Sequence, residues 1–191
     1  WLMNKNKIAF RLATLFLLAF VFVQGVESWQ IKKQQKIIVY NVPQHQAIDF
    51  VSGNDYHFIG DSILLEDGVL QNFHLKPARI SLQLNRRSDT LPAVFQQHPF
   101  YLFGNKKILV IDKPIFFEPQ QKKISVDIII ISKNPSVQLA QLAKVFNCQQ
   151  YIFDASNSIR KIARWQEEGD ALNLVYYSIP ANGAYVCNIP I

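Results

Sequence analysis

The stretch DIIIISKNPSVQLAQL, residues 127–142, carries the clearest secondary-structure signal in the chain. Its four consecutive isoleucines leave no polar face, which predicts a strand buried on both faces of a sheet. Asn134 suits a helix N-cap and Pro135 suits the first helical position that follows. Apolar residues then recur at helical spacing from Leu139 to Phe146. A buried strand that leads into a helix is typical of α/β proteins, which often place functional groups at this junction.

Strands and helices alternate from this stretch to the end of the chain. After residue 126 the pattern predicts strand 127–132, helix 135–146, strand 150–154, helix 158–168, and strands 174–179 and 183–189. Earlier in the chain, β-branched and aromatic residues predict strands 36–42, 46–51, 55–61, 69–75, 78–84, 100–104 and 106–112, with a polar loop at 85–98. The sequence therefore predicts an α/β fold with a β-rich first half and a β-α-β-α-β second half.

The N-terminal segment differs from the rest of the chain. Residues 8–26 are apolar except for Arg11, and as a helix they would span about 28 Å, close to the hydrocarbon thickness of a bilayer. Trp29 follows where an interfacial aromatic residue is expected. We predict one transmembrane helix with its flanks at 1–29, the end of a longer membrane region, and a folded domain at 30–191. A signal peptide that begins at Met3 is the alternative, although no A-x-A-like cleavage site precedes Trp29.

Composition narrows the class of partner without selecting one. The 191 residues are 49% hydrophobic, enough for a packed core, and the net charge is +6. A basic excess makes nucleic acid or anionic lipid head groups plausible neighbours, or it only keeps the chain soluble. The two cysteines, Cys148 and Cys187, form no C-x-x-C motif and are predicted to be small core residues. Basic residues flank the apolar segment evenly, so they do not set its orientation.

Few motifs in the chain point to catalysis. The sequence contains no G-x-S-x-G, no P-loop and no G-x-G-x-x-G. Ser156 and Ser158 near Asp154 could suggest a nucleophile, but a capped turn before helix 158–168 explains them as well. Lys133 at the predicted helix start could help to hold an anion, or the helix is simply well capped. The candidate contacts to a DNA backbone are basic residues: Lys106, Lys107, Lys122, Lys123 and Lys133.

Five short stretches resemble motifs of the ComEC family, the membrane channel proteins of bacterial DNA uptake. These stretches are VYNVPQHQA with Val42, Gln44 and Ala47 in matching places, ILVID ending at Asp112, DIIIISKNPS with Ser136, DASNS, and NGAYV. Their order matches the family's C-terminal metallo-β-lactamase-like domain, and the resemblance covers nearly all of the chain. It implies a metallo-β-lactamase-like sandwich after a membrane helix. It also implies that the folded domain lies on the outer side of the cytoplasmic membrane.

The departures from the family's motifs concern its metal ligands. The chain has no H-x-H-x-D-H motif, and Lys133 and Asn134 stand where the resemblance expects a His-His pair. The histidines lack ligand spacing, and one carboxylate does not hold a metal. The resemblance therefore implies a degenerate active-site corner formed by Asp112, Lys133, Asn134, Ser136, Asp154, Ser156 and Asn157, with no metal and no other cofactor.

The sequence thus predicts a non-catalytic domain of a membrane DNA-uptake channel. Its expected partners are the membrane, DNA through its backbone, and other parts of the same channel protein. The domain would bind or guide DNA or brace the channel. Two alternatives remain: a membrane-anchored hydrolase that uses Asp112, Asp154 and Ser156, and a purely structural membrane-associated module.

Overall fold

A long helix precedes the folded domain. The computed structural model describes residues 7–91, 94–115 and 122–190; residues 1–6 of the predicted membrane segment lie outside these ranges. Helix α1, Lys7–Lys32, has 26 residues and would extend about 39 Å. It is long and apolar enough to cross a membrane, and none of its apolar window is buried against the domain. The helix continues beyond the predicted boundary at residue 29, to Lys32.

The first sheet contains five strands from both ends of the domain. They are β1 Gln35–Val39, β2 Ala47–Ser52, β3 Asp55–Gly60, β4 Arg86–Arg87 and β11 Tyr185–Asn188. Their spatial order is β11-β1-β2-β3-β4. All pairs are antiparallel except β3 with β4. The first and last strands of the domain are therefore neighbours, which closes the domain on itself.

The second sheet contains the isoleucine-rich strand at its centre. Its strands are β5 Val94–Gln97, β6 Phe100–Phe103, β7 Lys106–Ile111, β8 Ile124–Ile131, β9 Phe146–Phe153 and β10 Tyr176–Ser178. Their spatial order is β10-β9-β8-β7-β6-β5. Strands β7 to β10 are mutually parallel, and β5 and β6 extend the sheet in antiparallel fashion. The described strands therefore form two mixed sheets.

Four further α-helices surround the sheets in the described part of the chain. Helix α2, Lys76–Ser81, follows a 3₁₀ turn at Ser62–Leu65 and a π-helical turn at Gln71–Leu75. Helix α3 is Leu139–Val145, α4 is Ile159–Ala171 and α5 is Ile179–Asn182. The predicted α/β class, with a β-rich first half and an alternating second half, is confirmed. The more specific likeness to a metallo-β-lactamase sandwich stays a prediction.

Side-chain alternation along the strands produces four layers. Ile37 and Phe50 of the first sheet pack with Ile108, Ile130 and other residues of the second sheet in a central core. On the outer face of the second sheet, the alternate residues of β7, β8 and β9 pack against α3 and α4. On the outer face of the first sheet, alternate residues pack against the segment 64–84. The isoleucine run is therefore buried on both faces because each of its faces belongs to a different core.

Two predicted strands are wrong for a reason that this layering explains. Residues 69–75 and 78–84 form the π-helical turn and α2, and not strands. Leu75 is fully buried, together with Leu64, against Ile38 and Val51 of the first sheet. A helical segment covers the outer face of that sheet, whereas two more strands would have left it exposed. The loop predicted at 85–98 contains β4 and β5, which sequence patterning missed because the strands have only two and four residues.

The other sequence predictions for this part of the fold have mixed outcomes. Both cysteines are free and partly buried at the margins of the cores, as predicted. The predicted helix 135–146 begins later, at Leu139. The cap assignments for Asn134 and Pro135 are therefore wrong.

Candidate functional site

Three parallel strands end side by side and place three polar residues in a row. Ile111, Ile131 and Phe153 are in register at the ends of β7, β8 and β9. The next residues along the chain are Asp112, Ser132 and Asp154, and the backbone N–H of Ser132 donates to the Ile111 carbonyl at 2.8 Å. We call residues 132–134 and 154–157, with the loops that contact them, the corner. Its position at the carboxyl ends of parallel strands is the one predicted for functional groups.

Asp154 is the hub of the corner and is only 1% exposed. Its carboxylate accepts hydrogen bonds from Ser132 Oγ at 2.6 Å, from the Ser156 backbone N–H at 3.0 Å and from Asn157 Nδ2 at 3.0 Å. The Ser156 hydroxyl donates a further short bond. Burial raises the pKa of Asp154 to about 6, although the bonds from Ser132 and Ser156 act in the opposite direction. The carboxylate is therefore fully engaged inside the fold.

Side chains of the loop after β9 accept hydrogen bonds from the backbone of the loop after β8. Lys133 and Asn134 adopt left-handed backbone conformations, with φ of 59° and 54°. The Lys133 N–H donates to Ser156 Oγ at 2.7 Å, and the Asn134 N–H donates to Asn157 Oδ1 at 2.9 Å. These bonds stabilise a turn that asparagine tolerates better than most residues do.

The side chain of Asn134 contacts the start of a helix, but not the helix that follows it in sequence. Its side-chain Oδ1 accepts from the backbone N–H of Ser158 at 2.7 Å, at the start of α4. The first N–H of α3, from Leu139, instead donates to Glu168 Oε2 at 2.9 Å. The predicted anion site at the start of the helix after β8 is therefore not formed as expected.

An ion pair from the other sheet closes the corner. Lys133 Nζ lies 2.9 Å from Oδ1 of Asp61, the residue that follows β3. His45 Nδ1 lies 3.0 Å from the second oxygen of Asp61, which also accepts the Gln46 backbone N–H at 3.2 Å. Burial tends to raise the pKa of Asp61, but hydrogen bonds from Lys133 and His45 outweigh it, so the pKa is lowered.

Sequence reasoning missed Asp61 and His45 as members of the site. Asp61 ends its strand in the same way as Asp112 and Asp154, and this shared position was the available signal. Gly60 is necessary for the arrangement, because a side chain there would collide with the backbone carbonyl of Gln46. The loop before β2 therefore lies directly on the end of β3 and holds His45 beside Asp61.

Asp112 lies on the neighbouring strand end but takes no part in these bonds. The His98 ring lies beside it, with Nε2 at 3.3 Å from Asp112 Oδ1. The contact lacks hydrogen-bonding geometry, so this buried oxygen has no hydrogen-bond donor within the described ranges. Asp112 is therefore a member of the corner by strand position only.

The side chains of the corner do not fit a metal centre. In residues 7–91, 94–115 and 122–190, no three His, Cys, Asp or Glu side chains are grouped as metal ligands would be. Asp154 is saturated by donors, and Asp61 is neutralised by Lys133. The remaining histidines are dispersed: His57 Nδ1 lies 3.0 Å from the Ser88 carbonyl, and His74 lies on the π-helical turn.

The structure separates the predicted site residues into two groups. It brings together Lys133, Asn134, Asp154, Ser156 and Asn157, with Asp112 on the adjacent strand. Ser136 is exposed and outside this network. The four other candidate lysines lie at the opposite end of the second sheet: Lys106 and Lys107 open β7, and Lys122 and Lys123 precede β8. Because β7 and β8 are parallel, both pairs share that edge.

A shallow groove of about 580 Å³ adjoins the corner. Its lining includes Asn41, Gln44, Asn157, Ser158 and Arg160. The Gln44 backbone N–H donates to the Ala155 carbonyl at 2.9 Å, which fixes one wall of the groove to the other. Arg160 is exposed there and forms no ion pair with any residue that the structure describes.

Comparison with protein families identifies the domain. The family model described as the ComEC C-terminal domain matches residues 37–189, which includes every strand of both sheets except the first two residues of β1. Comparisons with curated proteins and with solved structures gave no match. The match covers well over half of the chain, so the chain belongs to the ComEC family, and the family assignment made from its motifs is confirmed.

Proposed function

We propose that this chain is a membrane-anchored, non-catalytic C-terminal domain of a DNA-uptake protein, and that it guides DNA or braces the channel without cutting. Membership of the ComEC family places the chain in the context of DNA uptake and competence and of membrane proteins. The observation that carries the non-catalytic part of the proposal is the 2.9 Å ion pair between Lys133 and Asp61 at the corner.

The ion pair disfavours a metal at the corner on electrostatic grounds. An ammonium group beside a carboxylate neutralises it and repels a divalent cation that approaches the same oxygens. The positively charged Lys133 ammonium group thus takes the position at which a catalytic centre would need a metal cation. We infer that the corner has become a structural joint between the two sheets.

Ser156 is poorly placed to act as a nucleophile. Its hydroxyl donates to Asp154 and its oxygen accepts the backbone N–H of Lys133. The side chain is also buried. An activated serine needs a neighbouring base and an open approach for substrate. Asp154 accepts the hydroxyl hydrogen bond, but the buried side chain lacks the open approach. These contacts favour the non-catalytic proposal over the alternative of an Asp112, Asp154 and Ser156 hydrolase.

Helix α1 supplies the anchor in this proposal. Its exposed apolar surface would be satisfied by lipid, since the domain does not cover it. The position of the domain on the outer side of the cytoplasmic membrane follows the resemblance to the family. In this orientation the corner and its groove lie at the end of the domain that is opposite to α1. A passing DNA strand could meet Arg160 at that end. Such contacts would be to phosphates and would carry little sequence preference.

The test uses the chain Trp1–Ile191 purified in detergent. We expect no stoichiometric zinc, manganese or iron by elemental analysis. We also expect no cleavage of single- or double-stranded DNA in the presence of magnesium, manganese or zinc. About one metal per chain that is lost on Asp112→Ala would overturn the proposal. Metal-independent cleavage abolished by Ser156→Ala would instead support the hydrolase. If the chain binds DNA in a salt-sensitive way and Arg160→Gln weakens that binding, the domain guides DNA. If the chain binds no DNA, its remaining role is to brace the channel.

A further inference from the structure

One end of the domain is fastened directly to helix α1. The turn between β2 and β3 packs on the helix end, where a side chain at Gly53 would come within 3.2 Å of the Lys32 carbonyl. The Gly53 N–H donates to the Gln34 carbonyl at 2.9 Å. Gln34 Nε2 donates in turn to the carbonyls of Gly53 at 2.9 Å and Leu82 at 2.8 Å. The turn between β2 and β3 therefore lies beside the end of α1.

The same end of the domain collects basic residues from distant parts of the chain. Arg86 and Arg87 form β4, which pairs with Asp55 and Tyr56 of β3. These two residues of β3 come immediately after the turn that packs on α1. The turn before β7 contacts the start of β1, since a side chain at Gly104 would come within 3.1 Å of Gln35 Oε1. Both lysine pairs of the second sheet are thereby brought to this end. We call the basic residues of this end the basal surface: Lys32, Lys33, Lys36, Arg86, Arg87, Lys106, Lys107, Lys122 and Lys123.

The basal surface holds most of the basic excess of the chain. Its segments, with the last six residues of α1, contain nine basic residues and four acidic ones, Glu27, Asp55, Asp89 and Asp127, a surplus of five against the net charge of +6 for the whole chain. Asp127 lies 3.3 Å from Lys106 Nζ, and Asp89 lies 3.6 Å from Arg87. Six basic residues of this surface are exposed and have no ion-pair partner among the residues that the structure describes: Lys32, Lys33, Arg86, Lys107, Lys122 and Lys123.

The position of this surface selects its partner. The apolar part of α1 ends at Val26, and six further residues of helix extend about 9 Å to Lys32. The head-group layer extends roughly 5–8 Å beyond the hydrocarbon on each side of a bilayer. Trp29 is exposed between these two points, and Lys33 Nζ lies 3.9 Å above its ring. An anionic surface attracts basic residues within about a Debye length, or roughly 8–10 Å.

We propose that the basal surface binds the phosphate head groups of anionic phospholipids and so fixes the domain against the membrane. This rests on the membrane anchor in the proposed function and adds the lipid class and the contacting residues. DNA is the competing polyanion. The bilayer is favoured because the length of α1 already holds the basal surface beside head groups, whereas DNA would have to enter between the domain and the membrane.

The test uses the full chain reconstituted in lipid nanodiscs of phosphatidylcholine, with and without phosphatidylglycerol. We expect amide exchange over residues 83–88 and 104–108 to slow when phosphatidylglycerol is present. In detergent, native mass spectrometry should show preferential retention of phosphatidylglycerol over phosphatidylcholine. The double change Arg86→Gln and Arg87→Gln should reduce this preference about fivefold or more. Both side chains are exposed, so the midpoint of thermal unfolding should not move.

A matched control removes two exposed charges from the opposite end, Lys113→Gln with Arg160→Gln, and should leave the lipid preference unchanged. An equal loss in this control would overturn the proposal, because net charge alone would then explain the preference. No lipid preference in the wild-type chain, with the chain still integral to the membrane, would overturn it while leaving the anchor intact. A further variant replaces four lysines with Gln: Lys106, Lys107, Lys122 and Lys123. If it loses binding of a single-stranded oligonucleotide but keeps binding of lipid, the surface serves DNA instead. A chain that alkaline carbonate releases from membranes would remove the proposed anchor itself.

Discussion

Lys133 Nζ lies 2.9 Å from Asp61 Oδ1 and joins the end of β8 in one sheet to the end of β3 in the other. Both residues also hold the backbone around them: Asp61 accepts the Gln46 N–H, and the Lys133 N–H donates to Ser156. The pair therefore links the loop before β2 to the hydrogen-bond network of Asp154.

The Lys133–Asp61 pair should stabilise the domain modestly. Its side chains are 39% and 26% exposed, so solvent screening limits the pair to about 0.5–1 kcal/mol. A double-mutant cycle with Asp61→Asn and Lys133→Gln, read by chemical denaturation of the full chain in detergent, measures this coupling free energy. The more exposed pair Arg87–Asp89, with side chains 42% and 87% exposed, is the control, with an expected coupling of about 0–0.5 kcal/mol.

The coupling should depend on pH in a defined direction. The pKa of Asp61 is lowered in the folded protein from its ordinary value of 3.8. Its contribution to stability is therefore fully present above pH 3.8 and is lost as the pH falls through the lowered value. A coupling energy that rose on acidification would contradict the assignment of the pair.

Asp154→Asn should destabilise the domain by about 1–3 kcal/mol or more, because the amide would turn an N–H group toward hydrogen-bond donors and leave them unpaired. Chemical denaturation of the full chain in detergent measures the change. Asp170→Asn is the control, since Asp170 is exposed and accepts only the Tyr176 hydroxyl among the bonds described. A stable Asp154→Asn variant would show that the hub of the corner is not the carboxylate.

The same variant tests the raised pKa of Asp154. The folded protein binds this proton more tightly than the unfolded chain does, with a pKa of about 6 against an ordinary 3.8. The group therefore favours folding most below pH 3.8, and its contribution falls as the pH rises through about 6. The stability difference between wild type and Asp154→Asn should shrink over that interval and be constant above it. Unfolding free energies measured below pH 4 and above pH 6 give the comparison.

Ile129→Asp should abolish folding of the domain. Ile129 is fully buried between the second sheet and the helices α3 and α4. A carboxylate there would lose its hydration without gaining a partner. Ile159→Asp is the matched control, because Ile159 is 79% exposed. Cooperative thermal unfolding should persist in the control and disappear in Ile129→Asp. A cooperative transition in both variants would show that β8 is packed differently.

Helix α1 should remain with the membrane after alkaline carbonate extraction, because its apolar length matches a bilayer. Immunoblotting of the pellet and the supernatant locates the chain. Arg11→Leu should strengthen retention or leave it unchanged, whereas Leu15→Lys with Leu18→Lys should weaken it. A mature N-terminus that maps beyond Val26 would instead favour the signal-peptide interpretation.

The sequence by itself determined the class of the fold and the position of the corner. The continuous apolar run Ile128–Ile131 and the apolar length of α1 reflect the tendency of each residue to leave water. This tendency can be read from a short stretch of sequence. The resemblance to the family, rather than local patterning, implied that Asp112, Lys133 and Asp154 belong to one corner. The family motifs named the same residues.

Only the tertiary structure decided which elements pair and which side chains meet. Residues 69–84 have the composition of strands, but the exposed outer face of the first sheet is covered by a helical segment instead. Asn134 has the chemistry of a cap, but the fold pairs its side chain with the N–H of Ser158, just before α4, and its own N–H with Asn157. The Lys133–Asp61 pair and the basal surface join residues that are distant in sequence. Such contacts arise when strands adopt their register, and no local pattern records that register.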